Sequence, residues 1–149
     1  MVLVKQLTQS RKKDGYVSLS IDEELWKTYG RKGIDYPDSC YEELSEKAEA
    51  VLCERLIHLI KDGKNVVIDF SFWNRENRDF YREIIAKAGG TAELVYMKAS
   101  KETLQKRLKK RNKLLNANSP FIITSEILEH HYNDFEEPQG EGEIILLQD

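Results

Sequence analysis

Cysteine is scarce in this chain: Cys40 and Cys53 are the only two, and no C-x-x-C pair occurs. That argues against a disulfide framework or a cysteine-rich zinc site and fits reduced thiols in a cytoplasmic protein. Long apolar runs are also missing. No stretch approaches 18 residues, so no transmembrane helix and no membrane partner is expected. The apolar start of MVLVKQLTQSRKK is too short for the core of a signal peptide. Nor is there an excess of one charge. The net charge is −3, with acids and bases interleaved. A general nucleic-acid surface is therefore not favoured, and anions must be met by local clusters. What remains is a chain of 149 residues, 40% hydrophobic, without internal repeats. Such a chain can bury one core, so a single domain over residues 1–149 is expected.

The most informative stretch is Lys64 to Arg78, KNVVIDFSFWNRENR. Val66, Val67 and Ile68 form a short β-branched run introduced by Asp62-Gly63, the pattern of a buried parallel strand. The run stops at Asp69, Phe70 and Ser71, and a polar helical pattern begins near Asn74. A carboxylate and a hydroxyl at the carboxyl end of a buried strand stand where open α/β sheets put their ligands. The plainer alternative is that Asp69 only caps the strand end or the turn.

On either side the chain alternates strand and helix. Residues 1–13 are ambiguous: MVLV reads as a strand start, KQLTQSRKK as the basic end of a helix stopped by Asp14-Gly15. The helix is preferred. Tyr16–Ile21 alternates as a strand ending at Asp22, and a short helix carries Leu25 and Trp26. Glu23 and Glu24 suit the dipole of its first turn. Thr28–Ser39, with Gly30, Gly33 and Pro37, reads as a mobile loop flanked by Trp26, Tyr29 and Tyr36. The spacing then predicts a helix over 40–61, with Tyr41, Leu44, Ala48, Leu52 and Leu56 on one face. A strand over 65–70, a helix over 75–88 and a strand over 92–98 follow. Ser100 can cap a helix running through roughly Leu115. Asn116–Pro120 is loop, a helix starts at Thr124 or Ser125, and Glu143–Leu147 is a last strand.

Strands alternating with helices imply parallel crossovers and an α/β fold, a three-layer αβα arrangement around a mostly parallel sheet. If the two strands are neighbours, Asp22 and Asp69 meet at one rim. Paired carboxylates there suit accepting a proton and holding magnesium, directly or through water. On the helix from 101, Arg107 and Arg111 are four apart and share a face. They can clamp phosphates, or they form a solvated basic face with Lys106, Lys109, Lys110 and Lys113, the better reading for the lysines. His130-His131 point about 100° apart on a helix and make no shared metal face. Trp73 lies four residues from Asp69 and is a candidate acceptor-site wall; ordinary packing is the alternative.

Leu19–Glu23, Val67–Phe72, Arg78 and Leu104–Arg111, in this order, resemble the small P-loop kinases. The closest resemblance is to AAA-type kinases allied to zeta toxins, chloramphenicol phosphotransferase and polynucleotide kinase. Phe135–Pro138 with Glu141 and Glu143 is similar to their last loop and strand, so the likeness covers about residues 5–147. It implies a P-loop NTPase-like fold, ATP and Mg2+ as cofactors, and transfer of phosphate to a hydroxyl of a small molecule or nucleotide. Asp22 would orient or deprotonate that hydroxyl. Asp69 and Ser71 would stand near magnesium and the acceptor, with Asp69 the metal ligand. Arg78 would engage substrate, Trp73 would lie against it, and Arg107 and Arg111 would cover the ATP phosphates.

The departure from that family is the glycine-rich phosphate loop. G-x-x-x-x-G-K-[ST] occurs nowhere in the chain. Met1–Leu7 aligns best with the helix that follows such a loop, so the first strand and the phosphate cradle are expected to be missing or degenerate, the domain incomplete at its amino end. Lys5 or Lys12 as a stand-in cation has no glycines around it to offer backbone donors. A gap in mid-sheet would expose strand edges that invite self-association, unless MVLV fills it. The resulting expectation is a phosphotransferase-like domain inactive without its phosphate loop. A non-catalytic binding module and an interaction subunit are the alternatives. The acceptor is not legible.

Overall fold

The computed structural model describes residues 2–4, 16–114 and 122–149. Five strands, β1 (Val2–Val4), β2 (Val17–Ser20), β3 (Val66–Phe70), β4 (Leu94–Lys98) and β5 (Ile144–Leu147), form one sheet in the order β2-β3-β1-β4-β5. β2 pairs parallel with β3, and β4 parallel with β5. β1 lies antiparallel between β3 and β4. Four strands run one way and the middle one runs against them.

Between the strands stand α1 (Ile21–Tyr29), α2 (Tyr41–Lys61), α3 (Arg75–Lys87), α4 (Lys101–Arg111) and α5 (Ser125–Asp134). Their starts follow the capping residues. Ser20, Asn74, Ser100 and Thr124 each accept a hydrogen bond from the backbone N–H three residues on. The apolar stripes of α2 and α3 set Leu52, Leu56, Tyr81 and Ile85 against Leu19, Ile68, Phe70, Leu94 and Tyr96 of the sheet, all buried. Truncating one such leucine to alanine costs about 2–5 kcal/mol. The opposite face carries a smaller apolar group, Val67 and Val95 with Tyr16, Met97 and Leu146.

Two expectations are corrected. The helix expected to include Met1–Leu7 gives way, at Val2–Val4, to a strand. The reason is in the backbone: β1 supplies the partners that the facing edges of β3 and β4 would otherwise lack. The mid-sheet slot is therefore filled rather than open, and β2 and β5 are the sheet edges. The rest of the ambiguous segment, with Lys5 and Lys12, lies outside the described residues, as do Leu115 and the loop Asn116–Pro120. The second correction is the 28–39 loop, which has local order. α1 runs to Tyr29, Lys32 and Tyr36 form a bridge, and Asp38–Cys40 is a 3-10 turn. Gly30 ends α1 at φ +88°, and a Cβ there would come 2.5 Å from Asp35 Oδ2. Arg31 donates its backbone N–H to the same oxygen at 2.7 Å.

Among the described residues no helix is long and apolar enough to cross a membrane.

Candidate functional site

The parallel register of β2 and β3 sets Ser20 opposite Asp69. Their carboxyl ends share one rim, as the sequence predicts. Ser20 Oγ accepts from Glu23 N at 3.3 Å, which starts α1 at once and places Asp22 in its first turn. Burial raises the Asp22 carboxyl above its ordinary value. Arg111 opposes that shift, while Asp69 and Glu23 add to it. Arg111, the last residue of α4, is itself lowered by burial and supported by Asp22. Asp22 thus interacts with both Asp69 and Arg111, and all three are partly buried.

Two tyrosines belong to the same group. Tyr41 opens α2, and its phenol is pushed up to about 12 by burial and then by Asp22. Tyr36 is raised by burial, with Asp22 and Asp38 adding. Lys32 Nζ lies 4.3 Å from the centroid of the Tyr41 ring. The sequence reading of Tyr41 as an apolar-face residue misses this. Its place as the first residue after a glycine-bearing loop was the available signal.

The other expected site residues fall elsewhere. Arg107 is exposed, with Nη2 donating to the Gln148 carbonyl at 2.9 Å. It sits one turn before Arg111, and its guanidinium is turned to Gln148 near the carboxyl end of the chain. Of the two expected arginines, Arg111 is the one set beside Asp22. Arg78 is corrected more strongly. Its side chain is 0% exposed and bridges Glu141, 1% exposed, through Nε–H to Oε1 at 2.9 Å and Nη2–H to Oε2 at 2.8 Å. Nη1 donates to the Phe72 and Glu136 carbonyls at 2.9 Å each. A fork so fully engaged inside the chain presents nothing to a substrate. It ties the turn after β3 to the segment before β5.

Phe72, at the centre of that turn, is buried and left-handed at φ +47°, a strained state for a residue with a Cβ. Ser71, just before it, is exposed at the rim. Trp73 stacks on His131 with ring centroids 4.5 Å apart and meets Phe135 edge-on at 6.5 Å. Its carbonyl accepts from Glu136 N at 2.8 Å. Trp73 is thereby packed against α5, the ordinary-packing reading rather than a free wall.

Among the described residues no group of three or more metal-binding side chains occurs. Magnesium does not require one: it takes one or two carboxylates and completes its shell with phosphate and water, and Asp22 with Asp69 matches that donor set. A nucleotide's phosphate chain is different. It is cradled by successive backbone N–H groups of a glycine-rich loop, and the sequence contains no such motif. The residues present do not fit that part of ATP. A cavity of about 240 Å³ lies at the opposite rim, lined among others by Leu56, Ile60, Val66, Ile85 and Gly90, and holds none of the rim group.

A family model described as an AAA domain matches residues 2–138. No curated protein and no solved structure gives a significant match.

Proposed function

Because the chain belongs to the AAA domain family, of P-loop NTPase-like α/β fold and nucleotide-binding, kinase-like character, we propose that it is a phosphotransferase-like domain that transfers phosphate from Mg-ATP to a hydroxyl. In this reading a hydroxyl of a small molecule is presented at the rim of β2 and β3. The observation that carries it is the convergence of Asp22, Asp69 and Arg111. Asp22 takes the proton of the acceptor hydroxyl. Its raised pKa brings it closer to the range in which a carboxylate is an effective base. Asp69 would hold magnesium, which would supply positive charge at the rim. Arg111 balances charge as it develops on the oxygens beside Asp22. Arg107 and Arg78 have no part in these steps. The same reading includes a three-layer arrangement with helices on both sheet faces, supported by the second apolar face around Val67 and Val95. It places the protein in the cytoplasm, supported by two free cysteines.

The test is radiolabelled phosphate transfer from Mg-ATP to a panel of alcohols. It uses the chain alone and the chain joined behind a strand and phosphate loop carrying G-x-x-x-x-G-K-S. No transfer is expected from the chain alone, transfer is expected from the extended protein, and Asp22→Asn or Asp69→Asn abolishes it. Undiminished turnover in either variant removes that residue from the mechanism. The absence of the glycine loop favours a second reading, a binding module that holds an acceptor without chemistry. Calorimetry separates the two: in the extended protein, heat with an alcohol but none with Mg-ATP selects the module.

A further inference from the structure

The two edges of the sheet are finished differently. At β2, α1 and α2 pack on the strand, and Leu19 and Ser20 are buried. Among the described residues β5 has its main contacts with β4 alone. Its side chains stand largely in water: Ile144 is 42% exposed, Ile145 50% and Leu147 75%. The outer backbone is open as well. Gln148 N donates to the Lys98 carbonyl at 2.9 Å, and the polar groups of a strand alternate from side to side. Ile144 and Leu146 therefore turn their N–H and C=O toward β4, and Ile145 and Leu147 turn theirs outward. Among the described residues the one hydrogen bond to these outward groups comes from the Gln148 side-chain amide, 3.5 Å from the Leu147 carbonyl. The strand carries no proline, lysine or bulge, the usual guards of an exposed edge.

We infer that a second copy of this chain pairs with β5 across a two-fold axis, strand against antiparallel strand, so that two sheets become one. The edge selects a copy of itself over another extended chain on two grounds. The first is the backbone and what it carries. In an antiparallel pair, residues with outward groups exchange both N–H···O bonds, and Ile145 and Leu147 of each copy offer the same set. The side chains brought together are isoleucine and leucine from both copies, so each loses exposed apolar surface equally, and the closed two-fold uses up both free edges. The second ground is charge at the two ends of the strand. Glu143, just before β5, accepts from Glu141 N at 2.8 Å and has no ion pair among the described residues. Arg107, at the far end, is held by neutral groups, the carbonyl and side chain of Gln148. Lys98 and Asp149 at that end are already engaged, with Glu137 and with Ser100. An antiparallel partner brings the Glu143 end of one copy to the Arg107 end of the other; a parallel one does not.

Sedimentation equilibrium of the full chain, at about 100 µM and at about 1 µM, tests this. Twice the chain mass is expected at the higher concentration and the single mass at the lower. Ile145→Pro sets its ring on the free edge and spares the bonds to β4, and it should raise the dissociation constant at least ten-fold. Arg107→Glu should raise it at least three-fold, and adding Glu143→Arg should return it to within two-fold of the parent. Circular dichroism melts confirm that the variants are folded. Amide hydrogen exchange of the parent chain needs no variant: the Ile145 and Leu147 amides are expected to be protected at the higher concentration and open at the lower, while that of Leu146 changes little. A single mass at both concentrations overturns the inference. So does a dimer indifferent to Ile145→Pro, an Arg107→Glu defect that Glu143→Arg leaves unrepaired, or outward amides equally open at both concentrations.

Discussion

Two groups of charge, each pairing an arginine with carboxylates, lie at opposite extremes of engagement. Around Arg78 and Glu141 both side chains are out of contact with water, and the geometry is a two-point fork. Around Arg111 and Asp22 the groups are partly exposed, and burial drives each toward its neutral form. The first arrangement satisfies nearly every donor and does nothing but hold two segments together. The second leaves charge under strain at a rim, which is how reactive carboxylates are commonly arranged. An arginine at a motif position is thus no guide to its task; what the guanidinium already holds decides it.

The sharpest way to break this contrast is Arg78→Ala. It removes the two-point partner of the buried Glu141 and leaves Arg82 Nη1 at 3.0 Å as its cation, and should cost about 3 kcal/mol, read from urea unfolding. A loss below about 1 kcal/mol would mean the pair is not a structural clamp. Arg78→Met with Glu141→Leu should recover most of the loss, because no unpaired charge remains in the interior and the part-exposed Arg82 keeps Asp79 at 2.6 Å. The pH dependence follows from Glu141. Burial raises its carboxyl, but the hydrogen bonds and charges of Arg78 and Arg82 outweigh that, and the net shift is down. Its contribution is present above the ordinary glutamate value and fades as pH falls through the lowered one. The Arg78→Ala penalty should therefore shrink in acid.

Asp22→Asn should do the opposite. A raised carboxyl favours the protonated fold, so its contribution is present below the ordinary aspartate value and lost as pH rises through the raised one. The variant is expected to melt higher than the parent at pH 7 and level with it near pH 3, by calorimetry, while losing phosphotransfer in the extended protein. A variant less stable at pH 7 would make Asp22 a structural residue. Arg111→Ala comes next. It should change stability by under about 1 kcal/mol in thermal melts, since the group is only partly buried, yet weaken transfer. A large destabilisation would turn it into a second Arg78. Smallest is Arg107→Ala, within about 0.5 kcal/mol and without effect on transfer; loss of activity there would restore the two-arginine clamp.

Most of the secondary structure was legible, because burial leaves a local imprint. The VVIDF run, the apolar stripe of α2 and the capping residues Ser100 and Thr124 each mark an element within a few residues of where it stands. The shared rim of Asp22 and Asp69 was legible for a topological reason: parallel neighbours present their carboxyl ends together. Arg78 was misread because its partner is 63 positions away and no local pattern announces a buried fork. Arg107 and Arg111 share a face, but a periodic pattern carries no record of the distance along the axis to Gln148. Tyr41 was hidden because an aromatic at helical spacing looks the same whether it faces a core or a rim. Val2–Val4 is too short for periodicity to fix its type, and its direction is set by tertiary pairing alone.

The polarity of that central strand has a consequence for chemistry. Val2 is level with Phe70 and Val4 with Ile68, so the chain departs from β1 toward the amino ends of its neighbours, away from Asp69. Three residues of strand cover about 10 Å, enough to cap the hydrogen bonds on both sides. A strand that runs against its neighbours thus completes the sheet while its own carboxyl end lies at the rim opposite the acids.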